Sequence, residues 1–207
     1  WSSDVAVWNA GAAPVSVDLE YLPENADNSS GGLTVLTIEL AAHETEVLAD
    51  IVANQFNITD GKGALRVDAS APVVVTSRVA TAFAGGGTSG NGVRCVRVAG
   101  LAPGQIVLPG VRTLAGFRTN IGIVTADLGA TFELMLYGSD GILLGSKHLA
   151  VPARSLRQLS VRQLFGIAAQ EVDRGVLSAI VSRGLTPAEQ EALDSSLASG
   201  ARPGRVR

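Results

Sequence analysis

Apolar and polar residues alternate with a period of two along most of the first half of the chain, the pattern of strands that bury one face and wet the other in antiparallel sheets. The alternation predicts strands over Asp4 to Asn9, Val15 to Leu22 and Leu33 to Leu40. Between the second and third lies Pro23-Glu-Asn-Ala-Asp-Asn-Ser-Ser-Gly-Gly32, rich in turn formers and read as a surface loop with no core to offer. The period then changes. Leu48, Ile51, Val52 and Phe56 recur at helical spacing with Asp50 placed as a cap, which predicts about two helical turns over one end of a sandwich. Strands resume at Ala64 to Asp68 and at the β-branched run Val73 to Val79, read as well buried. Ala84 to Gly92 reads as a flexible loop or hairpin tip, Val93 to Val98 as a strand, and Gly100 to Gly110 as a passage between modules.

The second half restates the first. Phe117-Arg-Thr-Asn-Ile-Gly-Ile-Val124 repeats the chemical order of Trp1-Ser-Ser-Asp-Val-Ala-Val-Trp8: an aromatic, three polar residues, then an alternating apolar run. A polar break follows each copy, and Phe132, Leu134 and Leu136 answer Val15, Val17, Leu19 and Tyr21. The tight-turn signal Gly138-Ser-Asp-Gly141 leads into a third strand from Ile142 to Val151, and Ser160-Val161 with Phe165-Gly-Ile167 echoes Asp50-Ile51 with Phe56-Asn-Ile58. The expected fold is all-β: two tandem antiparallel β-sandwich modules related by internal duplication, residues 1–103 and 104–207, each with a short capping helix, plus a short C-terminal helix.

The copies diverge at their ends. Gly175 to Ser182 repeats Gly63 to Asp68, but no strand matching Val73 to Val79 follows; Thr186-Pro-Ala-Glu189 forms a capping box instead. Ala192, Leu193 and Leu197 give an apolar stripe, so a helix is predicted from Pro187 to about Ala198, ahead of the basic tail Gly200 to Arg207. An uncovered strand edge exposes unpaired amides and carbonyls. The expectation is that this helix covers the edge of module two through Leu193 and Leu197, or that a strand from another chain completes the sheet, which would also allow self-association.

Composition narrows the partners. Of the 207 residues 46% are hydrophobic but only 4% aromatic, so the cores should be aliphatic. A formal net charge of -3 with scattered basic residues implies no nucleic-acid groove. Mean hydropathy is +0.30, yet no run of about 18 uncharged apolar residues exists to span a membrane. The N-terminus lacks the regions of a signal peptide, and a start at Trp1 reads as a mature or excised secreted fragment. Cys95 is the single cysteine, so an intrachain disulfide is ruled out.

The run Val5-Ala-Val-Trp-Asn-Ala-Gly11, followed by Val15, Val17 and Leu19, resembles the first hairpin of immunoglobulin-like or fibronectin-like β-sandwich modules. The resemblance covers most of residues 1 to 182 as a pattern, and the Cys pair of antibody domains is absent. It implies modules found in tandem in secreted and surface-attached bacterial proteins, serving as spacers, adhesive units or accessory domains.

No reactive set assembles along the chain. Gly85-Gly-Gly-Thr-Ser-Gly90 satisfies G-x-G-x-x-G but is followed by a strand pattern rather than a helix, so it reads as a loop. His43 and His148 are the only histidines; His43-Glu-Thr-Glu46 lies in a polar turn and reads as solvated rather than as a zinc site, and no G-x-S-x-G elbow is present. Glu24, Asp27, Asn28, Asp60 and Asp140 are loop oxygens of the kind calcium prefers, without the spacing of a calcium loop, so turn formation is the simpler role and no cofactor is expected. Asn28-Ser-Ser30 and Asn57-Ile-Thr59 fit the glycosylation sequon by a short match. Cys95, between Arg94 and Arg97, reads as a buried strand residue whose thiol those cations would acidify were it exposed.

The expected function is that of a non-enzymatic extracellular or cell-surface structural or adhesive protein, presenting loops and strand edges to a protein or polysaccharide partner. The alternative is a carbohydrate-binding accessory module using Trp1 and Trp8 as stacking surfaces, although Trp8 at a strand end also reads as a core plug. Trp1, Trp8, Leu193 and Leu197 are the candidate contact residues.

Overall fold

The computed structural model describes residues 1–98, 105–167, 172–184 and 188. The chain forms two compact units: unit 1 is Trp1–Pro23 with Gly32–Leu101, and unit 2 is Glu24–Gly31 with Ala102–Arg207. Among the described residues both are built from antiparallel sheets, with a short helix packed on each.

In unit 1, β1 (Ser2–Trp8) pairs on one side with β4 (Thr45–Leu48) and on the other with β6 (Val74–Ala82), beyond which lies β7 (Thr88–Val93). A second, three-stranded sheet places β2 (Val15–Pro23) between β3 (Val35–Leu40) and β5 (Gly63–Ala69). Alternation decides which residues meet: Val5 and Val7 of the first sheet share one core with Val15, Val17, Leu19, Tyr21 and Leu40 of the second. Ile51 of the helix α1 (Ile51–Asn54) and Phe56 complete it. Each aliphatic side chain so buried contributes about 1.5–3 kcal/mol, which makes this seam the main source of the unit's stability.

In unit 2, β9 (Asn120–Val124) pairs with β12 (Leu156–Ser160). The facing sheet has β10 (Ala130–Tyr137) between β11 (Leu143–Val151) and β13 (Gly175–Gly184), with β8 (Gln105–Val111) outside β13. Ile121 of the first sheet meets Phe132, Leu134, Leu136, Val151 and Leu177 of the second in one core, with Val161 of α2 (Val161–Phe165). The architecture is thus mostly β and sandwich-like, and its cores are largely aliphatic, as the sequence predicts.

The pairing order β4–β1 with β3–β2–β5 in unit 1 matches β12–β9 with β11–β10–β13 in unit 2. Matching details accompany it. Asn9 and Thr125, each following the first strand, are buried; the N–H of Asn9 donates to the Glu44 carbonyl at 2.9 Å and that of Thr125 to the Ser155 carbonyl at 3.0 Å. Their side chains cap the end of the third strand: Asn9 Nδ2 donates to the carbonyls of Ala41 at 2.8 Å and Leu40 at 3.3 Å, and Thr125 Oγ1 donates to that of Pro152. Gly63 and Gly175 each open their strand where a Cβ would collide with a backbone carbonyl, 2.4 Å from that of Leu22 and 2.8 Å from that of Tyr137.

Several expectations are corrected. The stretch read as a polar turn at His43 to Glu46 contains the start of β4, and α1 is shorter than two turns. Asp50 stands at the N-cap position in a left-handed conformation, φ 41°, and its side chain makes no cap bond; Asp50 Oδ1 accepts the Ser3 N–H at 3.2 Å while the Asp50 N–H donates to Asp4 Oδ1 at 3.0 Å. Residues 94–97 form no strand, whereas Gln105–Val111, read as a passage between modules, is the strand β8. The run Val73 to Val79 is only half buried, because alternate residues of β6 face outward. The predicted helix Pro187 to Ala198 and the tail, with Leu193 and Leu197, lie outside the described residues apart from position 188.

Candidate functional site

A strand at the edge of a sheet leaves one row of main-chain donors and acceptors without a partner, so edges are where a sandwich-like unit with few reactive side chains can engage another chain. Two edges of unit 2 stand out. On β8, which pairs among the described residues with β13 alone, the consecutive residues Ile106, Val107 and Leu108 are all exposed. Pro109, which has no N–H, and Gly110, at φ 86°, end this run beside a register shift opposite Gly175 and Val176.

The second edge belongs to β9. Thr125 donates its N–H toward Ser155, and the Thr119 carbonyl accepts the Val161 N–H, so the flanking odd-numbered residues turn their main-chain groups toward the β12 side. Strand geometry alternates these directions residue by residue, and Asn120, Gly122 and Val124 therefore direct their N–H and C=O away from β12. Among the described residues no strand pairs with that side of β9.

The outer side of β12 is covered within unit 2 by residues 24–31, read from sequence as a loop without core. Glu24 forms a parallel bridge with Leu156, and the Asn25 N–H donates to the Leu156 carbonyl at 2.8 Å. The Asn25 side chain then acts as one more peptide group: its Nδ2 donates to the Gln158 carbonyl at 3.3 Å, and its Oδ1 accepts the Gln158 N–H at 3.0 Å. Asn28 is buried, its N–H donating to Ser155 Oγ at 3.2 Å. In the folded chain the Asn28 side chain of the first sequon is therefore withdrawn from solvent.

The other singled-out residues are dispersed. Trp1 is 86% and Trp8 42% exposed, so Trp8 does not plug the core; it stands at an outward position of β1, opposite to Val5 and Val7. Seven residues of extended chain, roughly 23 Å at about 3.3 Å per residue, separate the two rings, too far to stack on one sugar. His43 is exposed in a turn at φ 62°, and His148 is exposed on β11, not in a turn. Among the described residues no three His, Cys, Asp or Glu side chains converge as a metal site. Asp27 Oδ1 accepts from Ser29 N and Oγ, and Asp140 Oδ1 from the Ile142 N–H, the local turn bonds expected of such residues. Cys95 is exposed, contrary to the buried reading, and its pKa is raised by desolvation rather than lowered by the neighbouring arginines. Only the first part of the glycine-rich stretch read as a loop is a turn between β6 and β7, with Gly86 and Gly87 at φ 90° and 87°; from Thr88 onward it is the strand β7.

Compared with protein-family models, with curated proteins and with solved structures, the chain matches none. Its class is set by its own architecture: an antiparallel β protein of two sandwich-like units.

Proposed function

We propose that this is a non-enzymatic structural or adhesive protein of the extracellular space or cell surface, whose units, read as immunoglobulin-like or fibronectin-like modules, present strand edges to a protein or polysaccharide partner. The observation that carries this reading is β8, an edge strand among the described residues, which holds Ile106, Val107 and Leu108 at the surface. Native proteins ordinarily blunt such edges with charge or cover them, so an apolar edge suits a contact surface. The test is surface-immobilised chain assayed for retention of purified cell-surface proteins and polysaccharides, with Val107→Lys as the comparison. Retention weakened by that substitution supports the reading. Turnover of ester, peptide or glycoside substrates, lost on changing His43 or His148, overturns it.

A second reading rests on the exposure of Trp1 and Trp8: a carbohydrate-binding accessory role in which the rings act singly. Glycan binding abolished by Trp8→Ala or Trp1→Ala, and indifferent to Val107→Lys, would favour it.

A further inference from the structure

In unit 1 the first strand has neighbours on both sides, β4 and β6; in unit 2 the corresponding strand has β12 alone among the described residues. From this difference we infer that the open side of β9 receives an extended, β-branched aliphatic segment of another polypeptide, antiparallel to β9, in the place that β6 holds on β1. The inference rests on the edge-presenting function proposed above and names a second edge, its occupant and its register.

Unit 1 shows what such an edge accepts. Val75 of β6 lies opposite Val7, Ser77 opposite Val5 and Val74 opposite Trp8, and Val75 packs against the core from its half-buried position. Val5 and Val7 correspond along the strand to Ile121, buried in the core of unit 2, and Ile123, partly buried against it. A segment of this type would therefore set a Val75-like residue opposite Ile123 and a small residue opposite Ile121. Its main chain would meet the outward N–H and C=O groups of Gly122 and Val124, while alternate side chains extend the apolar face. Main-chain pairing supplies the affinity and side-chain alternation the selectivity.

The chain itself is a poor source. Its β6 is already paired on both sides, to β1 and to β7. Residues 185–207 follow β13 where β6 follows β5, but their sequence carries Pro187 and Pro203 and, as β-branched residues, only Thr186 and Val206. Such a composition disfavours a strand.

The probe is a labelled synthetic peptide with the sequence of residues 72–82, titrated into the full chain, whose β1 edge is blocked by the covalently attached β6. Saturable binding is expected, weakened at least tenfold by Val124→Pro, which removes an N–H from the open side and leaves the β12 ladder intact. Because a proline could also loosen the strand, amide exchange of the unaltered chain provides the independent measure. Peptide should slow exchange at Gly122 and Val124 and leave Ile121 and Ile123, already turned toward β12, nearly unchanged. Absence of saturable binding into the millimolar range overturns the inference. So does binding unaffected by Val124→Pro with no protection at Gly122 and Val124, which would place the peptide elsewhere. Self-association of the chain alone that Val124→Pro abolishes would mean that copies fill the edge, and overturns another polypeptide as the source. These outcomes are independent of Val107→Lys on β8, so either edge can fail without the other.

Discussion

Unit 1 fastens the end of its first strand with an amide, unit 2 with a hydroxyl. At both places the chain leaves a strand in the interior, where an unpaired carbonyl is costly, and a buried side chain must supply the donor. Asn9 has two amide hydrogens and reaches the carbonyls of Ala13, Leu40 and Ala41. Thr125 has one and donates to Pro152, and its oxygen accepts the Ser155 N–H at 3.2 Å. What is held constant is a donor at a fixed place in the pairing scheme; the residue type is free to change. The other side of the same strand contrasts with this. There unit 1 places β6 and β7, while unit 2 has no described partner for β9 and adds β8 to its opposite sheet instead. The units agree where burial enforces agreement and differ at their rims.

The comparison is broken most forcefully at the matched core positions. Leu19 and Leu134 are both fully buried at the centre of their sheets. Leu19→Ala and Leu134→Ala should each destabilise their own unit by about 2–5 kcal/mol in denaturant titrations. A loss below about 1 kcal/mol at either would mean that the two cores do not carry equal weight. Next come the strand-opening glycines. Gly63→Ala and Gly175→Ala should each cost about 1–3 kcal/mol, since the opposing atom is backbone and yields little. Both would also press on a side chain, the Tyr21 ring at 2.7 Å from Gly63 and Val172 Cγ1 at 2.5 Å from Gly175, but Gly63→Ala should be the worse because its backbone clash is the closer, 2.4 Å against 2.8 Å. Equal melting temperatures for parent and variant would show that the strands shift freely there. Comparable or smaller is the effect of the fastening itself: Asn9→Ala should cost about 1–3 kcal/mol and Thr125→Val about 1 kcal/mol, in proportion to the carbonyls left unpaired. The reverse order, measured by thermal melts, would contradict the account of donor number given above.

Much of this was readable in the sequence where side chains alternate over a core. β2 and β10 lie where the pattern puts them, and the Gly138 N–H donates to the Ile142 carbonyl at 2.8 Å across the predicted tight turn. Elements held by main-chain pairing alone left little trace. Every side chain of β7 is exposed, and β4 buries only Leu48, so neither carries an apolar period. β8 was hidden by Pro109 and Gly110, which signal a linker in one dimension and an edge in three. The segment 24–31 was hidden because its burial depends on β12, more than a hundred residues away in sequence. The open edge of the second half was legible in part, since the missing counterpart of Val73 to Val79 already implied one; that β9 carries it, and that β8 forms another, depends on which strands pair, a long-range property.

The smallest expected effect concerns the two aromatics that open the repeated stretches. Their sequence likeness suggests matched residues, each covering an apolar face, and for Phe117 a core-sized loss of about 3–5 kcal/mol on truncation. The structure keeps the two at corresponding places but exposes both. Phe117 is 52% exposed in a turn before β9, its N–H donating to the Leu114 carbonyl at 2.9 Å, while Trp1 sits next to β1 and is 86% exposed. The Phe117 ring has one distinctive neighbour, Arg112, whose guanidinium carbon lies 5.1 Å from the ring centroid and whose Nε is 3.0 Å from Asp173 Oδ1. A cation over a ring at an exposed site contributes about 0.5–1 kcal/mol. Phe117→Ala should therefore cost about 1 kcal/mol, a few degrees in melting temperature for a unit of this size. Trp1→Ala should fall within about 0.5 kcal/mol of the parent, as exposed substitutions do. A double-mutant cycle of Phe117→Ala with Arg112→Ala separates the ring's packing from its pairing: a coupling of about 0.5–1 kcal/mol is expected, and one near zero would assign the whole effect to packing. A loss of more than about 3 kcal/mol from Phe117→Ala alone would restore the core reading of Phe117.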